Sequence, residues 1–162
     1  METGSNRSSR SVVNLNSPWH TVILLCFVAI VSYGVARLAS MLAMGQASWP
    51  WPPLWLGNAF LASVLLLVPR RVWPILIATG FAGFVLNDIQ TSLTIRSTAL
   101  LILADTVEVL TAASCLRYAF DGVPRLNSVR ALAKISLFAV ILPPFIGAFC
   151  IALAANGNYW MN

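Results

Sequence analysis

The stretch LLLVPRRVWPIL, residues 65–76, decides the fold that the sequence predicts. It joins two apolar runs, at 54–68 and 72–86, through a proline and the charged pair Arg70 and Arg71. A hairpin that dipped into the membrane and returned would place both arginines in hydrocarbon, at a cost of about 2.5 to 3.5 kcal/mol each. We therefore predict that both runs are crossing helices and that the arginines lie in cytoplasmic water.

The composition of the whole chain is that of a membrane protein. Of its 162 residues, 59% are hydrophobic and 9% are charged, whereas a soluble domain is about 45 to 50% apolar and about 25% charged. The net charge is +5, but the basic residues are spread over an apolar chain and form no basic face for nucleic acid. The sequence predicts an all-α, polytopic integral membrane bundle and excludes a nucleic-acid binder.

The lengths of the apolar runs, and the charged residues that separate them, predict five transmembrane helices. A bilayer core about 30 Å thick needs about 20 apolar residues in a helix. Besides the hairpin, the spans are 21–43, 97–116 and 135–155. The first is too long for the apolar core of a signal peptide, which has about 7 to 15 residues. The last contains Pro143-Pro144 near its middle, where we expect a kink.

Basic residues orient the predicted bundle, because they are retained preferentially on the cytoplasmic side of short loops. With the N-terminus in the cytoplasm, only Arg96 lies in an outer loop, and Arg37 lies near the outer end of the first span. The basic residues then on the inner side are Arg7, Arg10, Arg70, Arg71, Arg117, Arg125, Arg130 and Lys134. Residues 1–18 have few large apolar side chains, which predicts a disordered cytoplasmic tail. We assign residues 19–162 to the membrane domain.

The fourth span carries two acids in the stretch ILADTVEVL, residues 102–110. Asp105 and Glu108 are three positions apart, so they share one face of a helix. Two charged carboxylates cost about 5 to 7 kcal/mol in a membrane, and the apolar side chains of the span return about 2.4 to 4.8 kcal/mol. The helix therefore needs either protonated acids or a cationic partner such as Arg37, and the sequence leaves both open.

Two interpretations of the acidic face follow. In the first, the face lines a polar cavity that responds to a ligand or a proton, with Asp105, Glu108, Asn58 and Arg37 as candidate residues. In the second, the acids only hold helices together through hydrogen bonds to Asn58 or nearby threonines. Arg37 has its own alternative, because its guanidinium can extend to the outer membrane interface.

Small residues in two spans predict close contact between helices, because they let backbones approach each other. In the third and fifth spans these residues are Ala78, Gly80, Ala82, Gly83, Gly147, Ala148 and Ala152. We interpret them as packing positions.

No pattern in the sequence indicates an enzyme, a metal site or a cofactor. Cys26, Cys115 and Cys150 lie in spans without Cys-x-x-Cys spacing, so they predict neither a disulfide framework nor a zinc site. His20, the single histidine, lies at the edge of the first span. A phosphate-binding glycine loop and the spacings of nucleophilic catalysts are also missing from the sequence.

Three motifs lie at the entrance of the second span, at the turn between the second and third spans, and within the fourth span. They are WPPLWLGNAF at 51–60, PRRVWP at 69–74, and LADTVEVL at 103–110, which precedes CLR at 115–117. Together they resemble the bacterial membrane-associated sensor family called MASE type one, over most of the chain. Leu56 departs from the pattern, because many relatives have proline there.

The resemblance implies a membrane-embedded sensory input domain of a bacterial signal-transduction protein in the inner membrane. Members of the family typically have eight helices joined to cytoplasmic histidine-kinase or cyclic-di-GMP domains, so three helices and the output domain are expected to be absent. Five crossings from a cytoplasmic N-terminus would leave Asn162 outside, which also predicts an incomplete domain.

The alternative from another class is a small transporter or channel subunit whose intramembrane acids handle a proton or a cation. An intramembrane enzyme with Asp105 and Glu108 as acid and base is the least supported reading. The expected partner is the lipid bilayer. A small-molecule ligand, a membrane-protein partner and a homodimer all stay open.

Overall fold

The computed structural model describes residues 17–44, 56–90, 95–120 and 128–154. Within these ranges the regular structure is helical and contains no strand, so the all-α prediction is confirmed. The predicted tail at 1–18, except its last two residues, lies outside the described residues, as do Trp51 to Trp55 of the first motif and Asn162. Pro18 already belongs to the first helix.

The helices follow the predicted order. They are α1 (Pro18–Met44), α2 (Leu56–Leu67), a 3-10 turn (Arg70–Val72), α3 (Trp73–Gln90), α4 (Ile95–Ala119), α5 (Val129–Ile135), a π-helical segment (Ser136–Ile141) and α6 (Leu142–Ala154). Several helices extend beyond the predicted apolar spans, because polar residues at their ends also adopt helical structure. The last helix begins earlier because the Ser128 hydroxyl accepts a hydrogen bond from the Ala131 N–H at 3.1 Å, which caps its N-terminus.

Four segments are long and apolar enough to cross a membrane: Pro18–Leu42, Arg70–Gln90, Thr98–Ala119 and Val129–Cys150. The predicted second span differs, since α2 has 12 residues and is about 18 Å long at about 1.5 Å per residue. A bilayer core is about 30 Å thick. Among the described residues, four helices therefore support the membrane character of the chain, and α2 is the predicted span that is shorter.

A tight turn joins α2 to α3. The indole N–H of Trp73 donates to the Leu65 carbonyl at 2.9 Å, inside the core, and the Val72 N–H donates to the Pro69 carbonyl at 3.1 Å. The carbonyls in the last turn of a helix have no partner within the helix. Trp73 therefore ties the end of α2 to the start of α3.

The centre of the bundle is α2, which packs against α1, α3 and α4. On one side of it α1 packs along α3, and on the other α4 packs against α6. Apolar side chains from α1 to α4 form a single cluster around α2. Its buried members are Val28, Leu61, Ala62, Val64, Leu65, Val68, Trp73, Leu76, Phe81, Val109, Ala112 and Ala113.

Glycines mark the closest helix contacts. A Cβ on Gly83 would lie 2.8 Å from the Ala29 carbonyl oxygen and 2.9 Å from the Tyr33 nitrogen, both backbone atoms of α1. Only glycine allows the two backbones to approach this closely. The neighbouring Ala82 is exposed instead, so only part of the small-residue set lies at contacts between helices.

The helix from Val129 to Ala154 widens immediately before Pro143-Pro144. In the π-helical segment the Leu142 N–H donates to the Leu137 carbonyl, five residues earlier rather than four. Prolines lack an N–H, and their rings clash with the carbonyl four residues earlier. A wider turn ahead of them is one way to relieve this crowding, and it lies where the sequence predicts an irregularity.

One end of the bundle is basic. The Arg117 guanidinium, at the end of α4, donates to the Val68 carbonyl at 3.1 Å beside the turn that carries Arg70. Lys134 of α5 donates to the Ala119 carbonyl at 3.2 Å. Three separate stretches of the chain therefore bring their basic residues to the same end.

Candidate functional site

A partly open cleft of about 540 Å³ lies between α2 and the π-helical segment. Both of these elements pack against α4, which forms the floor of the cleft. Ligand sites in proteins commonly have volumes of about 300 to 1,000 Å³. The residues that line the cleft are Asn58, Ala59, Ala62, Ser63, Leu66, Leu67, Glu108, Val109, Ala112, Leu116, Ile135, Ala139, Val140 and Pro144.

The lining is mostly apolar, and its polar side chains are few. The Ser63 hydroxyl donates to the Ala59 carbonyl at 2.7 Å, within α2, so its hydrogen is already used. The other polar lining residues are Asn58 and Glu108. A large apolar surface with a few polar groups is typical of small-molecule sites.

Asn58 connects α2 to α4 at the polar end of the cleft. Its side-chain N–H donates to Asp105 Oδ1 at 2.8 Å, and only 4% of its surface is exposed. It lies on the core face of α2, because Leu61 and Leu65 follow at helical spacing. The sequence named Asn58 as a candidate partner of the acids, and the structure places it there.

The other atom of the same carboxamide has no partner. Since a carboxylate only accepts hydrogen bonds, Asn58 turns its NH₂ group toward Asp105 and its Oδ1 away from it. This Oδ1 is buried and accepts no hydrogen bond from the described residues. A buried unsatisfied acceptor costs about 1 to 3 kcal/mol. The polar end of the cleft therefore lacks a hydrogen-bond donor.

The two acids have different surroundings although they share one side of α4. Asp105 is half-buried and bonds to Asn58 of α2. Glu108 is half-buried and lines the cleft, and its Oε2 is 3.4 Å from the position that a Cβ on Gly147 of α6 would occupy. Asn58 thus contacts both acids of α4, and of the two only Glu108 also lines the cleft.

Of the four predicted site residues, Asn58 and Glu108 line the cleft, whereas Asp105 and Arg37 do not. Arg37 is half-buried on α1, whose main neighbours are α3 and α2. Nearby, the Tyr33 hydroxyl donates to Gln90 Oε1 at 3.1 Å. The structure therefore brings Asn58, Asp105 and Glu108 together and places Arg37 on α1, outside the cleft lining.

Some neighbours expected for the acids have other roles. The Thr106 hydroxyl donates to the Ile102 carbonyl at 2.6 Å within α4. No sequence pattern points to Ser63, Ala139 or Val140 as lining residues, because they come from two elements that are far apart in the sequence and both pack against α4. In the sequence, Pro143-Pro144 was the signal for the irregular wall that the π-helical segment forms.

Metal binding has no support among the described residues. They contain no group of three or more His, Cys, Asp or Glu side chains that could hold a metal ion. Cys26, Cys115 and Cys150 are free thiols on α1, α4 and α6.

Fold and site together define a helical membrane protein with a partly open cleft that is acidic at one end. Comparisons with protein-family models, with curated proteins and with solved structures give no match for this chain. The resemblance to the MASE type one family therefore stays a prediction.

Proposed function

We propose that the chain is a membrane-embedded sensory input domain of a bacterial signal-transduction protein. In this proposal a ligand or proton at Glu108 changes the packing of the helices around α4. The supporting observation is the polar end of the cleft, where the Asn58 to Asp105 hydrogen bond joins two helices beside an acid that lines a cavity. An input domain needs a binding site at a contact that can change.

The walls of the cleft belong to different elements, so its shape depends on their packing. A ligand shifts an equilibrium between two arrangements only if it binds one of them more tightly. Contacts that reach from α2 to the π-helical segment meet this condition, because moving either wall changes them. π-Helical turns occur frequently at functional sites, and here one forms a wall.

The same helix leads from the cleft to the basic end. Arg117 follows Glu108 by nine residues, or about 14 Å along α4 at about 1.5 Å per residue. Its guanidinium donates to the Val68 carbonyl and lies over the Trp73 ring at 5.5 Å. A shift of α4 would therefore move the turn between α2 and α3. The proposed orientation puts this end in the cytoplasm, where an output domain or partner would detect the shift.

The test measures helix packing in the full chain reconstituted in nanodiscs. Spin labels replace two exposed residues at the basic end, Arg71 on the turn and Val129 at the start of α5, in a chain without native cysteines. We expect two populations of spin-to-spin distance, and Glu108→Gln should change their ratio by about fivefold or more. Thr79→Val, at a polar residue of α3 that bonds within its own helix and lies outside the cleft lining, is the matched control and should leave the ratio unchanged.

A single distance population that is identical in the parent chain and in Glu108→Gln would refute the proposed mechanism. The transporter alternative is tested in parallel by proton and potassium flux into proteoliposomes. Proton or potassium flux that Glu108→Gln abolishes would show that the chain is a transporter or channel subunit and not a sensor.

A further inference from the structure

We propose that the cleft binds a lipophilic amine, a molecule with an apolar chain and a protonated amino group. This inference rests on the proposed function, because it names the ligand class for the same cleft. It is carried by the chemistry of the two ends of the cavity.

The polar end of the cleft offers acceptors and lacks donors. The Glu108 carboxylate lines it, and the buried Oδ1 of Asn58 has no partner among the described residues. The side-chain donors of the lining are already used, since the Asn58 NH₂ group hydrogen-bonds to Asp105 and to Glu108 and Ser63 donates to Ala59. A ligand that supplies donors and positive charge therefore complements this end.

An ammonium group fits these requirements better than the other common headgroups. It carries three N–H donors and no acceptor, so it can bind a carboxylate and a carboxamide oxygen together. Hydrogen bonds between charged groups are also stronger than neutral ones. An alcohol brings a single donor and no charge, and a carboxylate would face Glu108 with like charge.

The apolar end of the cleft suits an alkyl chain. Leu66, Val109, Leu116 and Val140 line it beyond Glu108. Val140 is 65% exposed, so the cleft is open along the π-helical wall, which in a crossing helix borders the lipid. An amphiphile could enter from the bilayer with its chain between the walls and its amino group at Glu108.

The experiment measures equilibrium binding of radiolabelled octylamine to the full chain in nanodiscs of zwitterionic lipid, with empty nanodiscs as the background. We expect saturable binding above background, displaced by unlabelled octylamine and poorly displaced by octanol or octanoate of the same chain length. Glu108→Gln should weaken binding about tenfold or more, because it removes a charge-assisted contact. Thr79→Val, on α3 outside the cleft lining, should leave binding unchanged.

A second variant tests the cavity without changing any charge. Ala139 lines the cleft from the π-helical segment, and Ala139→Leu should reduce the amount of bound octylamine by filling the space. Thermal melts of each variant, followed by tryptophan fluorescence, verify that the protein remains folded. If Glu108→Gln fails to fold, Ala139→Leu and the competition by octanol still test whether the cleft binds a lipophilic amine.

Several results would overturn the ligand class. They are binding no greater than in empty nanodiscs, equal competition by octanol, and unchanged affinity in Glu108→Gln or Ala139→Leu. If Ala139→Cys instead forms a cross-linked dimer, a second copy of the chain occupies the cleft. Octylamine binding without any change in spin-label distances would refute the sensor and leave the ligand class standing. A distance change in Glu108→Gln without amine binding would refute only the ligand class.

Discussion

Asn58 occupies a position on the core face of α2, which continues with the buried apolar residues Leu61, Ala62 and Leu65. A polar residue there has a specific use, because its hydrogen bond to Asp105 spans two helices. Coupling energies of such bonds between membrane helices average about 0.6 kcal/mol and reach about 1.7 kcal/mol. The bond is therefore better suited to fixing the register of α2 on α4 than to holding the bundle together.

A double-mutant cycle of Asn58→Ala and Asp105→Ala measures this bond. We expect a coupling energy of about 0.6 to 1.7 kcal/mol in the free energy of unfolding. Reversible unfolding in mixed detergent micelles supplies the measurement. The pair Ser63→Ala and Asp105→Ala is the control, because Ser63 bonds within α2. A coupling of zero for Asn58 would mean that the bond has no net effect.

Trp73 gives a second prediction for a single residue. Trp73→Phe keeps the aromatic packing but removes the donor to the Leu65 carbonyl, which leaves that buried oxygen unpaired. We expect a loss of about 1 to 3 kcal/mol in the free energy of unfolding, measured by the same unfolding method. Trp19→Phe is the matched control, since Trp19 is 73% exposed. Equal effects of the two changes would count against a capping role for Trp73.

Helices α1 and α3 meet at Gly83, and this contact should tolerate no larger residue. Gly83→Ala would place a methyl group against the backbone of α1. Overpacking costs about 1 to 3 kcal/mol, which outweighs the gain of about 1 kcal/mol in helix propensity on replacing glycine. We expect a net loss of stability, followed by thermal melts in micelles. Ala82→Leu, at the exposed neighbouring position, should be neutral, and a more stable Gly83→Ala would show that the helices can separate.

The helices were predictable and the cleft was not, for a physical reason. Hydropathy reports how each segment interacts with lipid, so it locates the segments around Arg70 and Arg71 and the face that carries Asp105 and Glu108. It does not report which helices become neighbours. The meeting of α2, α4 and the π-helical segment depends on packing between residues distant in the sequence. The predicted second span ran from Leu54 to Val68 because both are apolar; the described helix covers Leu56–Leu67, and Val68 lies just outside it.

At the scale of the whole molecule, we predict on which side of the membrane the ends of the helices lie. Single cysteines at Leu56, Arg71 and Arg96, all exposed, report the ends of α2, α3 and α4 in a chain without native cysteines. We expect an impermeant thiol reagent to label Leu56→Cys and Arg96→Cys in intact cells, and Arg71→Cys only in inverted vesicles. The positive-inside bias supplies the physical reason.

Different labelling patterns separate the alternatives. Labelling of Leu56→Cys on the same side as Arg71→Cys would show that α2 does not cross the membrane. Labelling of all three positions on the opposite sides from those expected would reverse the orientation and place the basic end outside. Permeabilised cells, in which all three cysteines should react, provide the control for accessibility.

If α2 crosses the membrane, as the sequence predicts, its short described length creates a hydrophobic mismatch. A helix about 18 Å long in a hydrocarbon layer about 30 Å thick leaves a deficit of about 12 Å, which thinning of the bilayer or movement of flanking residues has to absorb. The energy of that adjustment is a fraction of a kcal/mol per Å. Because α2 forms a wall of the cleft, thinner and thicker membranes would press differently on its contact with α4. The acyl-chain length of the surrounding lipid would then act on this protein even when the cleft is empty.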